Sequence, residues 1–394
     1  MTPSPYPPVP LAATASPPRA VIVGGSLSGL FAATTLRAAG WRVDVFERSP
    51  QQLDSRGGGL VLQPDVLAAF RHARVAHRGP LGVRSDDRIY LNIDDAVVHR
   101  SFMPQTQTSW NMLYIAMRDA LPADCIHAGE RLVGFRPSGD RVTTLFASGR
   151  VETADLLVGA DGPRSTVRSL LLPGTEPTYA GYVAWRGLVP EAALNRAAAA
   201  RLGSAFVFQQ GHDHMLLEYR IPGEDGAVND GARRWNWVWY RKVAAGAALA
   251  DLLTDRDGTP HAFSLPPGAT RDAPIAALRQ DARRLLAPSL RELVLATEEP
   301  FLQAILDLAV PRMVFGRTVL LGDAAFIVRP HTAGGAAKAA ANALALAQAL
   351  ASGTRDIDAR LADWEAGQLE AGASMRAWGV AMGDRIMGAA EAAG

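Results

Sequence analysis

Residues Thr318 to Leu350, TVLLGDAAFIVRPHTAGGAAKAAANALALAQAL, constrain the fold more than any other stretch. Thr318 to Leu321 form a nearly unbroken apolar run, the pattern of a strand buried on both faces of a parallel sheet. Gly322 lets the backbone turn, and Asp323 follows just past the strand end, where open α/β sheets bind ligands. Beyond Pro330 the pattern predicts a helix of small residues whose first turn is Ala333, Gly334, Gly335 and Ala336. Bare N–H groups there would face a ligand that carries negative charge.

Two further corners of the same kind lie far upstream. Ala20 to Val23 read as a short strand, Gly24, Gly25, Ser26, Leu27, Ser28 and Gly29 as a turn, Leu30 to Ala39 as a helix ending at Gly40, and Trp41 to Glu47 as a second strand. This is a βαβ unit of the dinucleotide-binding type, with Ser26 where the middle glycine is usual. The Ser26 hydroxyl can donate to a phosphate, and Glu47 stands where a ribose would be bound, with Arg48 beside it. The plainer alternative is an ordinary glycine turn. The third corner is ADLLVGADGPRSTVRSLL: Leu156 to Val158 end a buried strand, Gly159 to Gly162 turn, and a helix runs from Arg164 to Leu171. Strand ends at Gly24, Asp161 and Asp323 are therefore expected to meet on one sheet.

The remaining chain predicts a second sheet. Residues 82–102 alternate like antiparallel strands, and strands are expected near Gly181–Val189, Ala205–Gln210, Met215–Ile221 and Trp235–Tyr240. Met215, Leu217 and Tyr219 share one face of their strand, and His214, Leu216 and Glu218 the other. The tryptophans at 185, 235, 237 and 239 suit a core better than a ligand wall. The expected class is α/β, with a Rossmann-like unit over residues 19–80, 104–178 and 288–352. A mainly antiparallel second domain covers 81–103 and 179–287, and C-terminal helices occupy 353–394, packed on the first unit or on a second subunit. Residues 1–18, rich in proline, read as a flexible leader.

Composition excludes several classes of function. Lys+Arg 40 against Asp+Glu 39 in 394 residues leaves no charge excess to attract nucleic acid or anionic lipid. Cys125 is the only cysteine, so no intrachain disulfide or dithiol redox centre forms, in keeping with a cytoplasmic location. Lys338, Asn342 and Gln348 interrupt the Ala-rich helix, and no apolar run reaches membrane-spanning length.

GGSLSG with Glu47, then ADLLVGADGPRSTVR, then TVLLGDAAFIVRPHTAGG, in this order and spacing, resembles the class A FAD-dependent aromatic hydroxylases, over almost the whole chain from Ala20 to about Leu350. GYVAWRGLVPE, WNWVWYRKV and RPHTAGGAAKAA resemble the branch of that family acting on hydroxylated pyridines. The resemblance implies FAD as cofactor, NADH or NADPH as transient donor, and O2 and a small aromatic ring as substrates, with a homodimer possible. It places Gly24, Ser26 and Gly29 against the FAD pyrophosphate, Glu47 against the adenosine ribose and Asp323 against the ribityl chain. Asp161 and Gly162 belong to a motif tied to both FAD and the donor, and Pro330 with the Gly334 to Ala336 amides would border the isoalloxazine. Phe326 stands where the family often has His, and Ala333 and Ala337 where it commonly has Gly and Asn.

The chemistry so implied, oxygen transfer from an FAD C4a-hydroperoxide to an electron-rich ring carbon, needs dry, apolar walls and a group that takes the ring's O–H or N–H proton. His331 is the first candidate base, with simple ordering of its loop as the alternative. Tyr219 is the expected pocket residue on its strand. Arg186 pairs either with a substrate oxygen or with a structural acid. Arg118 is read either as a phosphate contact or as a solvated helix residue. A phenolic-acid hydroxylase, or a flavoprotein that oxidises or senses without inserting oxygen, remains the alternative function.

Overall fold

The computed structural model describes residues 16–51, 53, 58–77, 79–351 and 356–388. The leader expected over 1–18 lies outside them up to residue 15, and so does much of the Ser49–Gly59 loop. Pro18 is already fixed, its carbonyl accepting from the Arg42 amide at 2.9 Å.

One sheet has six strands, in spatial order Val314–Phe315, Thr318–Leu320, Leu156–Gly159, Arg19–Val23, Arg42–Glu47 and Ile126–Ala128. All neighbours pair parallel except the first two, which form a hairpin. The three strands that carry the ligand corners are therefore adjacent, and their carboxyl ends lie side by side. Helix Leu27–Ala38 packs on this sheet, Gly335–Leu350 lays its small residues against that helix and against Pro64–Ala73, and Trp110–Asp119 completes the core. Ser109 caps the last of these by accepting from the Met112 amide at 3.1 Å, the bond that satisfies one orphan donor at a helix start. A three-stranded meander, Leu132–Ser138, Arg141–Phe146 and Val151–Ala154, flanks the sheet.

The second sheet runs Ser264–Leu265, Phe301–Ala309, Thr178–Pro190, Arg234–Lys242, His214–Ile221, Phe206–Gly211, Val83–Leu91, Val97–Ser109 and Gly59–Val61. It is antiparallel except between Phe206–Gly211 and Val83–Leu91. The sequence division put residues 59–61, 104–109 and 301–309 in the dinucleotide unit, yet all pair in this sheet. Phe301–Ala309 is buried along most of its length, a run that does not by itself name a partner strand, and its pairing with Thr178–Pro190 assigns it to this sheet. The outer face, with Trp185, Trp235, Trp237 and Trp239, packs on helices Arg196–Leu202, Asp272–Leu285 and Pro288–Ala296, so the tryptophans are core. Met215, Leu217 and Tyr219 point the other way, with Tyr182, Phe206, Phe208 and Tyr240.

The chain from Ile357 to Ile386 is one 30-residue helix rather than several. Gly372, Gly379 and Gly383 lie on the side of it that meets Phe326, Thr332 and Arg329, where bare Cα atoms permit close approach. Its final turn, with Met382 and Ile386, packs against the inner face of the second sheet.

Candidate active site

The three corners interlock through their glycines. Gly24, at φ +111°, lies so close to the third corner that a Cβ would sit 2.4 Å from the Ala160 carbonyl oxygen, and Gly322, at φ +62°, would place one 2.3 Å from Ser28 Oγ. No L side chain fits at either position. Ser26 caps the helix from Leu27 without a side-chain bond, which leaves its hydroxyl and the first-turn amides open to an anion. The Glu47 carboxylate is oriented by two backbone donors, Gly25 N and Ser49 N, both at 2.8 Å. Spare lone pairs on both oxygens remain for ribose hydroxyls. Arg48 beside it is exposed, and Arg118 pairs with Asp119 at 2.8 Å.

Asp161 faces its own helix: its carboxylate accepts from Ser165 Oγ and from the Thr166 and Val167 amides at 2.6 and 3.2 Å. Burial pushes its pKa up while these bonds pull it back. Gly162, at φ +77°, has open space around it. The residue that couples this corner to the next is Arg168. Fully buried, it donates to the carbonyls of Pro163 at 2.7 Å, Thr175 at 3.0 Å and Ala324 at 3.2 Å. Its position on a short helix gave no signal of that role.

Asp323 sits in a single 3₁₀ turn after the strand Thr318–Leu320, and Lys338, buried inside the following helix, donates to it at 2.5 Å and to the Phe326 carbonyl. Asn342, one turn further on, accepts from the Gly322 amide at 3.2 Å. The helix does not begin at Ala333 as the sequence suggested. Pro330–Thr332 form a 3₁₀ turn, Ala333 takes a left-handed conformation at φ +54°, Gly334 caps, and Gly335 is the first helical residue. The Thr332 hydroxyl holds this kink by donating to the Arg329 carbonyl at 2.8 Å and accepting from the Gly334 amide at 3.1 Å.

Between this loop and the inner face of the second sheet lies a cavity of about 1050 Å³. The loop contributes Pro330, His331, Ala333 and Gly335, and Asp323 and Pro163 enter from the corners. Phe206, Phe208, Met215, Leu217, Tyr219 and Tyr240 form the apolar wall, and the C-terminal helix closes one side with Trp378 and Met382. Polar side chains, among them Gln63, Arg88, Gln105, Arg186 and Gln303, complete the lining. Tyr219 is buried and its pKa is pushed up to about 12 by burial, against the opposing influence of Arg186 and a bond with Asn236, so it is a neutral donor. Asn236 Oδ1 in turn accepts from the Gly59 amide at 2.7 Å. Arg186 makes only long contacts, 3.4 Å to Gln303 Oε1 and 3.4 Å to the Gly59 carbonyl.

His331 lies against Tyr182, its ring 6.3 Å away and nearly parallel, and edge-on to Tyr240 at 5.7 Å. With Nε2 set 3.0 Å from the Gly379 carbonyl, the ring is held as the tautomer that keeps Nδ1 free of hydrogen, and Nδ1 is buried without a partner. Burial drops its pKa to about 4, so it is neutral above that pH. Arg329, before the loop, pairs with Asp307 at 2.8 Å and Asp384 at 3.0 Å, fixing loop, sheet and C-terminal helix to one another.

The architecture has counterparts among known proteins. A family model described as FAD binding domain-like matches residues 179–307, the segment that supplies much of the cavity wall. The 2,6-dihydroxypyridine 3-monooxygenase of Paenarthrobacter nicotinovorans is 35% identical over 90% of this chain and 88% of its own length. The chain belongs to the FAD-dependent aromatic monooxygenase family. The solved structure of the 2,6-dihydroxypyridine-3-hydroxylase from Arthrobacter nicotinovorans superposes with a TM-score of 0.88 at 33% identity, covering 94% of this chain and 93% of that one. A 6-hydroxynicotinate 3-monooxygenase from Pseudomonas fluorescens is 26% identical over 90% of this chain and 88% of that protein. For this monooxygenase the free Ser26 hydroxyl, the open amides and the glycine corners fit a dinucleotide pyrophosphate, and Glu47 fits its ribose.

Proposed function

We propose that the enzyme hydroxylates a small hydroxylated N-heteroaromatic ring, of the hydroxypyridine kind, with a reduced nicotinamide and O2 as co-substrates. The observation that carries this reading is the cavity, whose apolar sheet wall faces the Pro330–Gly335 loop and carries isolated polar groups suited to a flat ring with one or two ring oxygens or nitrogens. FAD, when bound, would pass the donor's two electrons to O2, so that one oxygen atom of O2 goes to the ring and the other leaves as water.

The chain's own residues do the rest. Gly24, Gly25, Ser26, Leu27, Ser28 and Gly29 hold the pyrophosphate, Glu47 and Arg48 the ribose end, and Gly322 with Asp323 the ribityl chain. Pro330, Ala333, Gly334, Gly335 and Ala336 border the ring system. Phe206, Phe208 and Leu217 keep water from the reacting carbon. Tyr219 donates to a ring oxygen or nitrogen, Arg186 stabilises the oxyanion that forms as the ring gives up its proton, and His331, held neutral by burial and fixed on the Gly379 carbonyl, orders the loop that faces the ring. Asp161 and Arg168 set the corner beneath. Two-electron donors bind transiently, and a cytoplasmic homodimer is the expected state.

The test is NADH and NADPH oxidation by the FAD-loaded protein with a panel of hydroxypyridines and phenols, read with product mass. A hydroxylated pyridine formed in proportion to donor consumed supports the reading. Stimulated oxidation that yields hydrogen peroxide alone, or product only from phenols, overturns it.

A further inference from the structure

We infer that the cavity contains an anion subsite built on Arg88, which selects aromatic substrates that carry a negatively charged oxygen group. The inference rests on the ring-hydroxylating reading above and names a substrate class within it. Its starting point is an imbalance of charge in the cavity lining. The lining includes two carboxylates, Asp213 and Asp323, and each is already neutralised by a lysine at 2.5 Å, Lys242 and Lys338. Arg88, Arg186 and Arg385 line the same cavity, and among the described residues none of the three has a carboxylate within ion-pairing distance. A chain with a formal net charge of +1 thus concentrates unpaired guanidinium groups around one hollow.

Arg88 is the one built into the wall. Its guanidinium lies over two stacked rings, 5.5 Å from Phe206 and 5.0 Å from Phe208, whose centroids are 4.6 Å apart. Nη2 donates to Gln105 Oε1 at 3.2 Å, and Nε is buried with no partner among the described residues. The acids that sequence proximity would offer are taken: Asp86 by Arg84 at 2.7 Å and Asp87 by Arg100 at 3.0 Å. The ring contacts hold the guanidinium against the wall while leaving donors for a planar oxyanion, which arginine binds with two parallel bonds.

The subsite is within reach of the proposed reaction centre. Phe206, under Arg88, meets the Tyr219 ring edge-on at 4.7 Å, so Arg88 and Tyr219 are separated by a single aromatic side chain on one continuous wall. The residues of the Gly24 to Gly29 turn do not line this cavity, so the FAD pyrophosphate has its own donors elsewhere. The remaining polyanion that visits such an enzyme is the nicotinamide donor, and the experiment separates it from the substrate.

FAD-loaded wild-type and Arg88→Gln proteins are titrated with 6-hydroxynicotinate and with its neutral carboxamide, followed by the change in flavin absorbance, and KM for NADH is measured for both. A charge-assisted hydrogen bond of this kind corresponds to roughly tenfold to hundredfold in affinity. The expected result is a loss of that size for the carboxylate in R88Q, less than about twofold change for the carboxamide, an unchanged KM for NADH, and partial recovery in Arg88→Lys. Wild-type affinity for the carboxylate, and not for the carboxamide, falls with added salt, a readout independent of whether the variants fold. Equal loss of both ligands, salt-insensitive binding, or an effect confined to KM for NADH overturns the subsite. If neutral hydroxypyridines are hydroxylated without regard to charge, the subsite fails alone. If FAD is retained but no ring is hydroxylated, the reading beneath it fails too.

Discussion

Lys338 reaches out of the first turns of its helix to pair with Asp323 at 2.5 Å, with its own side chain 2% exposed and that of Asp323 42% exposed. The same ammonium binds the Phe326 carbonyl, so one buried charge clamps both ends of the turn that follows the strand Thr318–Leu320. Removing it leaves a carboxylate without its counter-ion and a carbonyl without a donor. Because Asp323 stays partly hydrated, the cost is below that of a fully buried broken pair, on the order of 2 kcal/mol. Lys338→Met is expected to lower the apoprotein's thermal midpoint and weaken FAD binding about tenfold, read by fluorescence titration. Asp323→Asn in the same chain recovers stability but not FAD affinity, because the ribityl acceptor is also lost.

Tyr219 and Asn236 lie on adjacent strands in direct register, and Arg186 is close enough to lower the phenol's pKa against burial. A neutral phenol up to about pH 12 donates and does not act as a base. Tyr219→Phe preserves the ring, its edge contact with Phe206 and the cavity volume. Steady-state kinetics are expected to show kcat/KM down by roughly tenfold to hundredfold for the ring substrate, with more peroxide per NADH and an unaltered melting curve. A drop in melting temperature without loss of coupling would assign Tyr219 to packing instead.

The three corners were legible because each writes its function in residue types that tolerate no substitute: glycine where another backbone comes within 3 Å, an acid at a strand end, small residues where a helix must lie close. The clamps were not. Lys338 reads as an interruption of an Ala-rich helix, Arg168 as one more residue of a short helix, and Arg329 as part of a loop motif. Their partners, Asp323, Ala324 and Asp384, are met only when the chain has folded. The same limit explains Phe301–Ala309: a strand's membership in one sheet or another is a property of its neighbours, not of its own alternation. The kink at Ala333 has no signature in the sequence because a left-handed alanine is costly in isolation, and only the Thr332 hydroxyl, bonded on both sides, secures it.

Glu218 is fully buried on the outer face of the second sheet, with neither carboxylate oxygen hydrogen-bonded, and burial raises its pKa well above the ordinary value, only partly offset by Arg220. A raised folded pKa means that the contribution is complete below the unfolded value near 4.3 and is lost as pH climbs toward the folded one. His331 and His214 run the other way. Burial lowers both to about 4, so the unfolded chain binds their protons first and stability falls as pH drops from about 6.5 to about 4. Denaturant titrations of wild-type and Glu218→Gln proteins should diverge above pH 4.5, the variant gaining up to about 1.4 kcal/mol per pH unit until the folded pKa is passed. His331→Gln should flatten the wild-type slope between pH 4 and 6.5. Parallel curves for E218Q and wild type would mean that the carboxyl is solvated in solution.

The long C-terminal helix offers a paired test of how closely it must approach the loop. Gly383 lies where a Cβ would come 2.4 Å from Arg329 Nη1 and 2.6 Å from the Tyr182 hydroxyl, whereas a Cβ on exposed Gly367 meets nothing within 4 Å. Alanine raises helix propensity by about 1 kcal/mol at either position, so G367A should stabilise the protein by up to that amount. At Gly383 the same gain competes with overpacking worth about 1–3 kcal/mol, and Arg329 can withdraw only by stretching its bonds to Asp307 and Asp384. Gly383→Ala is therefore expected to lower the thermal midpoint while G367A raises it. G383A should also speed hydrogen exchange in 357–386 and increase the fraction of NADH turnover that ends as peroxide, because this helix closes one side of the cavity. If both alanines stabilise alike, the helix does not press on the loop in solution, and closure of the cavity must come from elsewhere.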